Sequence, residues 1–166
     1  MASETIILRL DKERNEKIEA IIDSLKKIYP QIRKIKVYLL AGFYGYYLGE
    51  RKPSRGEKID VSRGEFLEKI EYKDFNLYIK AIYELSLKEN ENKGIEGQQR
   101  TMKDMYSLFE EYVNAGVDKL SELLQKANKP EEFLEELELE IQKAYESLGL
   151  KHFEQEVQSE YGQEEI

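Results

Sequence analysis

The residues best suited to chemistry in this 166-residue chain lie in one short basic loop. Arg51-Lys52-Pro53-Ser54-Arg55-Gly56-Glu57-Lys58 places four cations in eight residues, with Arg63 just beyond. Cations spaced along a Pro- and Gly-containing loop can track a phosphate backbone, where Lys and Arg supply most of the sequence-independent affinity. Tyr44, Tyr46 and Tyr47 precede the loop, and single-strand binders need such rings for stacking. Tyrosines of a buried helix with wet hydroxyls give the same pattern, and the spacing favours that reading.

Catalytic chemistry finds no comparable support. His152 is the single histidine and stands in a weak terminal segment, without partners for a triad or a facial metal site. The absence of cysteine excludes disulfides and thiolate metal sites. Glu131, Glu132, Glu135, Glu136, Glu138 and Glu140 lack the Glu-x-x-His spacing of carboxylate-bridged metal sites in bundles and read as a solvated helix face. The expectation is a protein without enzymatic activity, cofactor or metal.

The net charge of −8 conceals a division. Residues 1–69 hold 15 Lys/Arg against 11 Asp/Glu, and residues 70–166 hold 11 against 23. Between Ser24 and Arg63 the count is 10 against 3. Two readings fit equally: an anion-binding front half, or an unevenly charged but merely solvated surface. Charged residues make up 36% of the chain, with many Lys, Glu, Ile and Tyr and no Trp or Cys, which is a hyperthermophile-like profile. No apolar run reaches membrane-spanning length and residues 1–14 lack a signal-peptide pattern, so a cytoplasmic protein is expected.

From the N-terminus, Thr5–Leu10 alternates as a half-buried strand, with Thr5, Ile7 and Arg9 on one face. Asp11 stands at an N-cap position, and Ile18, Ile21, Ile22, Leu25 and Ile28 form a helical stripe that Tyr29-Pro30 ends. A second helix begins near Gln31, pointing Ile32, Ile35, Leu39 and Leu40 inward and Arg33, Lys34 and Lys36 outward. Its later half contains Gly42, Gly45 and Gly49, which implies close backbone approach to another element or unwinding near Gly49.

Glu50–Val61 reads as loop, Ser62–Glu65 has capping-box spacing before a short helix over 65–70, and Asp74 starts a stronger helix. Lys88–Gln99 reads as a polar loop. Met102, Met105, Tyr106, Phe109, Tyr112, Val113, Val117 and Leu120 recur at helical spacing, with Gly116 permitting close packing. Pro130 opens a last helix that Gly149 closes, and an acidic tail follows over 151–166. The expected fold is mainly α: a compact bundle of about five or six helices with one short N-terminal strand. Residues 1–128 form its core, and 129–166 an acidic helix and tail.

Strand, helix, break and helix resemble a ribbon-helix-helix DNA-binding module, which would turn Thr5, Ile7 and Arg9 toward bases. The first helix is longer than usual for it, Ile7 is a poor base reader, and a plain edge strand fits as well. Three segments, LAGFYGYYLGERKP, DFNLYIKAIYEL and EEYVNAGVDKL, together resemble small proteins encoded beside DNA phosphorothioation (Dnd-type) modification and restriction genes. The similarity spans roughly residues 12–124, and the chain departs from it after Pro130. It implies an accessory subunit of a prokaryotic anti-invader system, partnered by a larger defence protein. Nucleic acid would be bound through Arg9, Arg33, Lys34, Lys36, Arg51, Lys52, Arg55, Lys58 and Arg63. The residues expected to meet the partner protein are Phe43, Tyr44, Tyr47, Met102, Met105 and Phe109. Two alternatives stand beside this reading: a purely structural adaptor for a guided nuclease such as a prokaryotic Argonaute, and a dimeric ribbon-helix-helix regulator.

Overall fold

The computed structural model describes residues 7–63, 73–89 and 101–147. Its elements run β1 (Ile7–Asp11), α1 (Lys12–Leu25), α2 (Lys34–Leu48), β2 (Lys58–Arg63), α3 (Lys73–Glu89), α4 (Met102–Lys126) and α5 (Pro130–Ser147). This is the mainly α architecture that the sequence predicts, with its N-terminal strand. Thr5, the short helix expected over 65–70, most of the polar loop before Thr101, the Gly149 cap, His152 and the acidic tail lie outside the described residues.

The strand β2 replaces the last four residues of the expected loop and takes in Ser62 and Arg63, the expected start of a capping box. It pairs antiparallel with β1, from Ile7 opposite Arg63 to Asp11 opposite Lys58, with a register shift between Leu8 and Arg9. Lys58, Asp60 and Ser62 alternate with Ile59 and Val61, a short strand pattern that runs straight on from the Pro- and Gly-containing loop and is decided by pairing with β1. Leu8 and Leu10 are buried while Arg9 faces outward, as the alternation predicts. Asp11 caps α1 through the Arg14 N–H at 2.9 Å, and Ile18, Ile21, Ile22 and Leu25 form the buried stripe. That helix stops at Leu25, short of the expected Tyr29, in a turn closed by the Tyr29 N–H on the Leu25 carbonyl.

The helices α2 and α4 form the centre. Buried residues cover most of α2 and leave only the face of Lys36, Leu40, Phe43 and Tyr47 partly open, and the six consecutive residues Tyr112–Val117 of α4 are all buried, so the two helices are enclosed where they meet. They cross antiparallel at backbone contact. A Cβ on Gly45 would meet the Tyr112 carbonyl oxygen at 2.0 Å, and one on Gly116 would meet that of Ala41 at 1.8 Å. A Cβ on Gly42 would stand inside the Phe109 ring. The glycines expensive to helix propensity therefore occupy the one face where no side chain fits. Gly49 ends α2 in the left-handed conformation (φ 68°), with the Glu50 N–H closing back on the Gly45 carbonyl.

Around this pair stand α1, α3, α5 and the hairpin. Tyr38 donates from its hydroxyl to the Arg9 carbonyl at 3.0 Å, and Phe43 stacks on Phe75 of α3 with ring centroids 5.9 Å apart. Thr101 and Asp104 form a reciprocal capping box at the start of α4, and Pro130 opens α5 as expected. Among the described residues, no helix is long and apolar enough to cross a membrane.

Replacing Gly116 or Gly45 by Ala forces backbone apart from backbone, so each variant is expected to lose about 3 kcal/mol or more in chemical denaturation. Gly49→Ala, which meets nothing within 4 Å but keeps a positive φ, is expected to lose only about 1 kcal/mol. Equal losses at the three positions would contradict the crossing.

Candidate nucleic-acid interface

The basic loop is fastened along its length. The Lys52 N–H donates to the Glu111 carbonyl of α4 at 3.0 Å, and Asn114 Nδ2 donates to the Lys52 carbonyl at 2.9 Å and to Ser54 Oγ at 3.0 Å. Arg14 Nη1 donates to the Pro53 carbonyl at 3.1 Å. The Arg55 N–H donates to Asp11 Oδ2 at 3.3 Å, and the Lys12 N–H to the Glu57 carbonyl at 2.9 Å. Gly56, at φ 72°, supplies the left-handed turn before β2. Buried backbone groups must find partners, and here α1 and α4 provide them.

Asp118 of α4 anchors the same region. Its carboxylate accepts from Arg14 Nε and Nη2 at 3.2 and 3.1 Å, from Lys17 Nζ at 3.0 Å and from Lys52 Nζ at 3.0 Å. Arg14, with a side chain only 7% exposed, also donates to Asp11 at 2.6 Å. Burial raises the Asp118 carboxyl, but the hydrogen bonds from Arg14, Lys17 and Lys52 outweigh it and hold the group well below the usual carboxylate range.

The expected phosphate-binding cations divide into two groups. Arg9 pairs with Asp60 at 3.1 Å, Lys34 with Glu19 at 2.9 Å, Lys52 with Asp118 and Lys58 with Glu110 at 3.0 Å. Arg33, Lys36, Arg51 and Arg55 are exposed and form no ion pair with any described residue. These four do not converge: Arg33 and Lys36 begin α2, and Arg51 and Arg55 follow its end, about 22 Å away by helix rise. Arg63 ends β2, and its side chain is outside the described residues. Arg51 lies 6.0 Å from the centre of the Tyr112 ring.

The expected partner-facing residues need correction. Tyr44, Met105 and Phe109 are buried in the core, where α2 packs on α4 and α5. Tyr44 reaches Glu140 of α5 at 3.5 Å, and burial followed by the Glu140 charge pushes its phenol up to about 12. Phe43 and Tyr47 remain half-buried in an apolar groove of about 390 Å³ between α2, α3 and α5, while Met102 is exposed at the start of α4. One edge of β1 is filled by β2 of the same chain, so the ribbon is made within one molecule at that edge. No protein-family model matches the chain, and neither a curated protein nor a solved structure matches it.

Sequence reasoning missed Arg14, Asn114 and Asp118, since no local spacing links Arg14 to a carboxylate 104 residues away. Yet Asn114 and Asp118 belong to the EEYVNAGVDKL string and Gly45 and Lys52 to LAGFYGYYLGERKP, and these two strings meet in space. Asp118→Asn is expected to cost about 3 kcal/mol at pH 7, since it leaves buried Arg14 incompletely paired. A depressed folded pKa places Asp118's contribution above the usual carboxylate pKa of about 4, and it is lost as pH falls through the folded value. Stability of the variant should accordingly fall less steeply with acid than that of the parent, as read by urea midpoints across pH.

Proposed function

We propose that the protein is a cytoplasmic, non-enzymatic accessory subunit of a prokaryotic anti-invader defence system, from a hyperthermophile, which contacts the phosphate backbone of nucleic acid. The observation that carries the binding is the exposure of Arg51 and Arg55, without ion pairs to described residues, on a loop fastened by α1 and α4. A loop ordered before binding loses little conformational freedom on contact, which favours affinity. Arg33 and Lys36 supply a second cationic point at the other end of α2. Lys52 and Lys58, although drawn from the same basic run, serve chiefly to hold the loop. The defence setting rests on the sequence resemblance to Dnd-associated proteins.

A second reading, a structural adaptor for a larger nuclease such as a prokaryotic Argonaute, is favoured by the groove between α2, α3 and α5. There Tyr78 is 57% and Leu85 46% exposed beside Phe43 and Tyr47. Under that reading, Tyr78→Ala/Leu85→Ala abolishes copurification with the nuclease and leaves oligonucleotide binding intact.

The backbone reading is tested with Arg51→Ala/Arg55→Ala in salt titrations of oligonucleotide binding. The double variant is expected to weaken binding and to reduce the salt slope by roughly one or more, about one for each removed cation that contacts a phosphate. Lys52→Ala should instead lower stability. Unchanged affinity and slope in the double variant would remove the loop from the interface.

A further inference from the structure

A polar cavity of about 270 Å³ lies between α3, α4 and the residue that begins the fastened loop. Arg51, Glu111, Asp104, Ser107, Leu87 and Leu108 are among the residues that line it. Asp104 is already committed to its capping box, accepting from the Thr101 hydroxyl at 2.8 Å. Glu111 is not: its side chain makes no hydrogen bond or ion pair with a described residue. Burial raises its pKa and the charge of Arg51 opposes that rise, so the two opposite charges sense each other across the cavity without touching.

A half-buried carboxylate and a guanidinium without an ion pair to a described residue, lining one cavity, suit a neutral ligand with paired donors beside an acceptor. A carboxylate accepts two parallel N–H bonds. Among the nucleobases, guanine alone presents two adjacent donors, N1–H and N2–H₂, on its Watson–Crick edge, with the O6 acceptor alongside. Adenine, cytosine and uracil each set an acceptor next to their donor, which would face the carboxylate with a lone pair. Arg is a frequent donor to guanine O6. Leu87 and Leu108 offer apolar surface to the ring, as in sites that read an unpaired base by its edge and face.

We propose that this cavity receives an unpaired guanine of the bound nucleic acid, with Glu111 accepting from N1–H and N2–H₂ and Arg51 donating to O6. The assignment rests on the nucleic-acid reading of the basic loop and adds a base preference to it.

The test compares the 5′-monophosphates of guanosine, adenosine, cytidine and uridine by calorimetric titration of the intact chain, so that the phosphate is constant and the base alone varies. Guanosine monophosphate is expected to bind about tenfold tighter than the others. Glu111→Gln sets an amide donor against N1–H or N2–H₂ and should abolish the guanine preference. That loss, with an unchanged urea midpoint, is a readout a purely structural role of Glu111 would not give. Four equal affinities, or a guanine preference that survives Glu111→Gln, would overturn the assignment. If oligonucleotide binding then retains its salt slope, only the base pocket fails; if the slope is absent as well, the backbone reading fails with it.

Discussion

The contact on which the structure depends is the antiparallel crossing of α2 and α4, where two peptide backbones touch because Gly45 and Gly116 carry no side chain. Helices separated by ordinary side chains lie about 8–10 Å apart. Removing the Cβ at both points lets the carbonyls of Ala41 and Tyr112 sit where side chains would be. That proximity brings the end of α2, and hence the basic loop, onto the polar side of α4, within reach of Glu110, Asn114 and Asp118.

The charge division of the chain acquires a different meaning once those elements meet. The basic stretch before β2 does not simply face solvent, because carboxylates from the acidic half fold onto it. Asp118 engages three cations, and Glu110 a fourth. Burying such charges costs about as much as pairing them returns, so net stability is not the main outcome of the network. We read its role as registration: it fixes where the loop lies on α1 and α4, and leaves Arg51 and Arg55 exposed without ion pairs to described residues.

A fastened loop also separates roles that composition alone runs together. Arg51, Lys52 and Arg55 look equivalent as a string of cations. In the fold, Lys52 is bonded through its N–H, its carbonyl and its ammonium group, whereas Arg55 is held by its backbone alone. Likewise Phe43 and Tyr47 stay half-buried in an apolar groove, while Tyr44, which also lines it, is buried and reaches Glu140 of α5.

Much of the helical framework was legible in local sequence. The Asp11 cap, the buried stripes of α1 and α4, the Pro130 start and the close approach implied by the glycines follow from propensity, periodicity and the absence of a Cβ, all properties of neighbouring residues. The strand β2 was not read from the sequence, because the alternation of Lys58–Arg63 is short, with only Ile59 and Val61 apolar, and continues a Pro- and Gly-containing loop; pairing with β1 decides it. Nor was the ion network, whose members Arg14 and Asp118 are 104 residues apart. Which cations are paired and which make no ion pair to a described residue was decided by tertiary structure alone. Charge acts through space over a few ångströms, and only the fold determines which charges come that close.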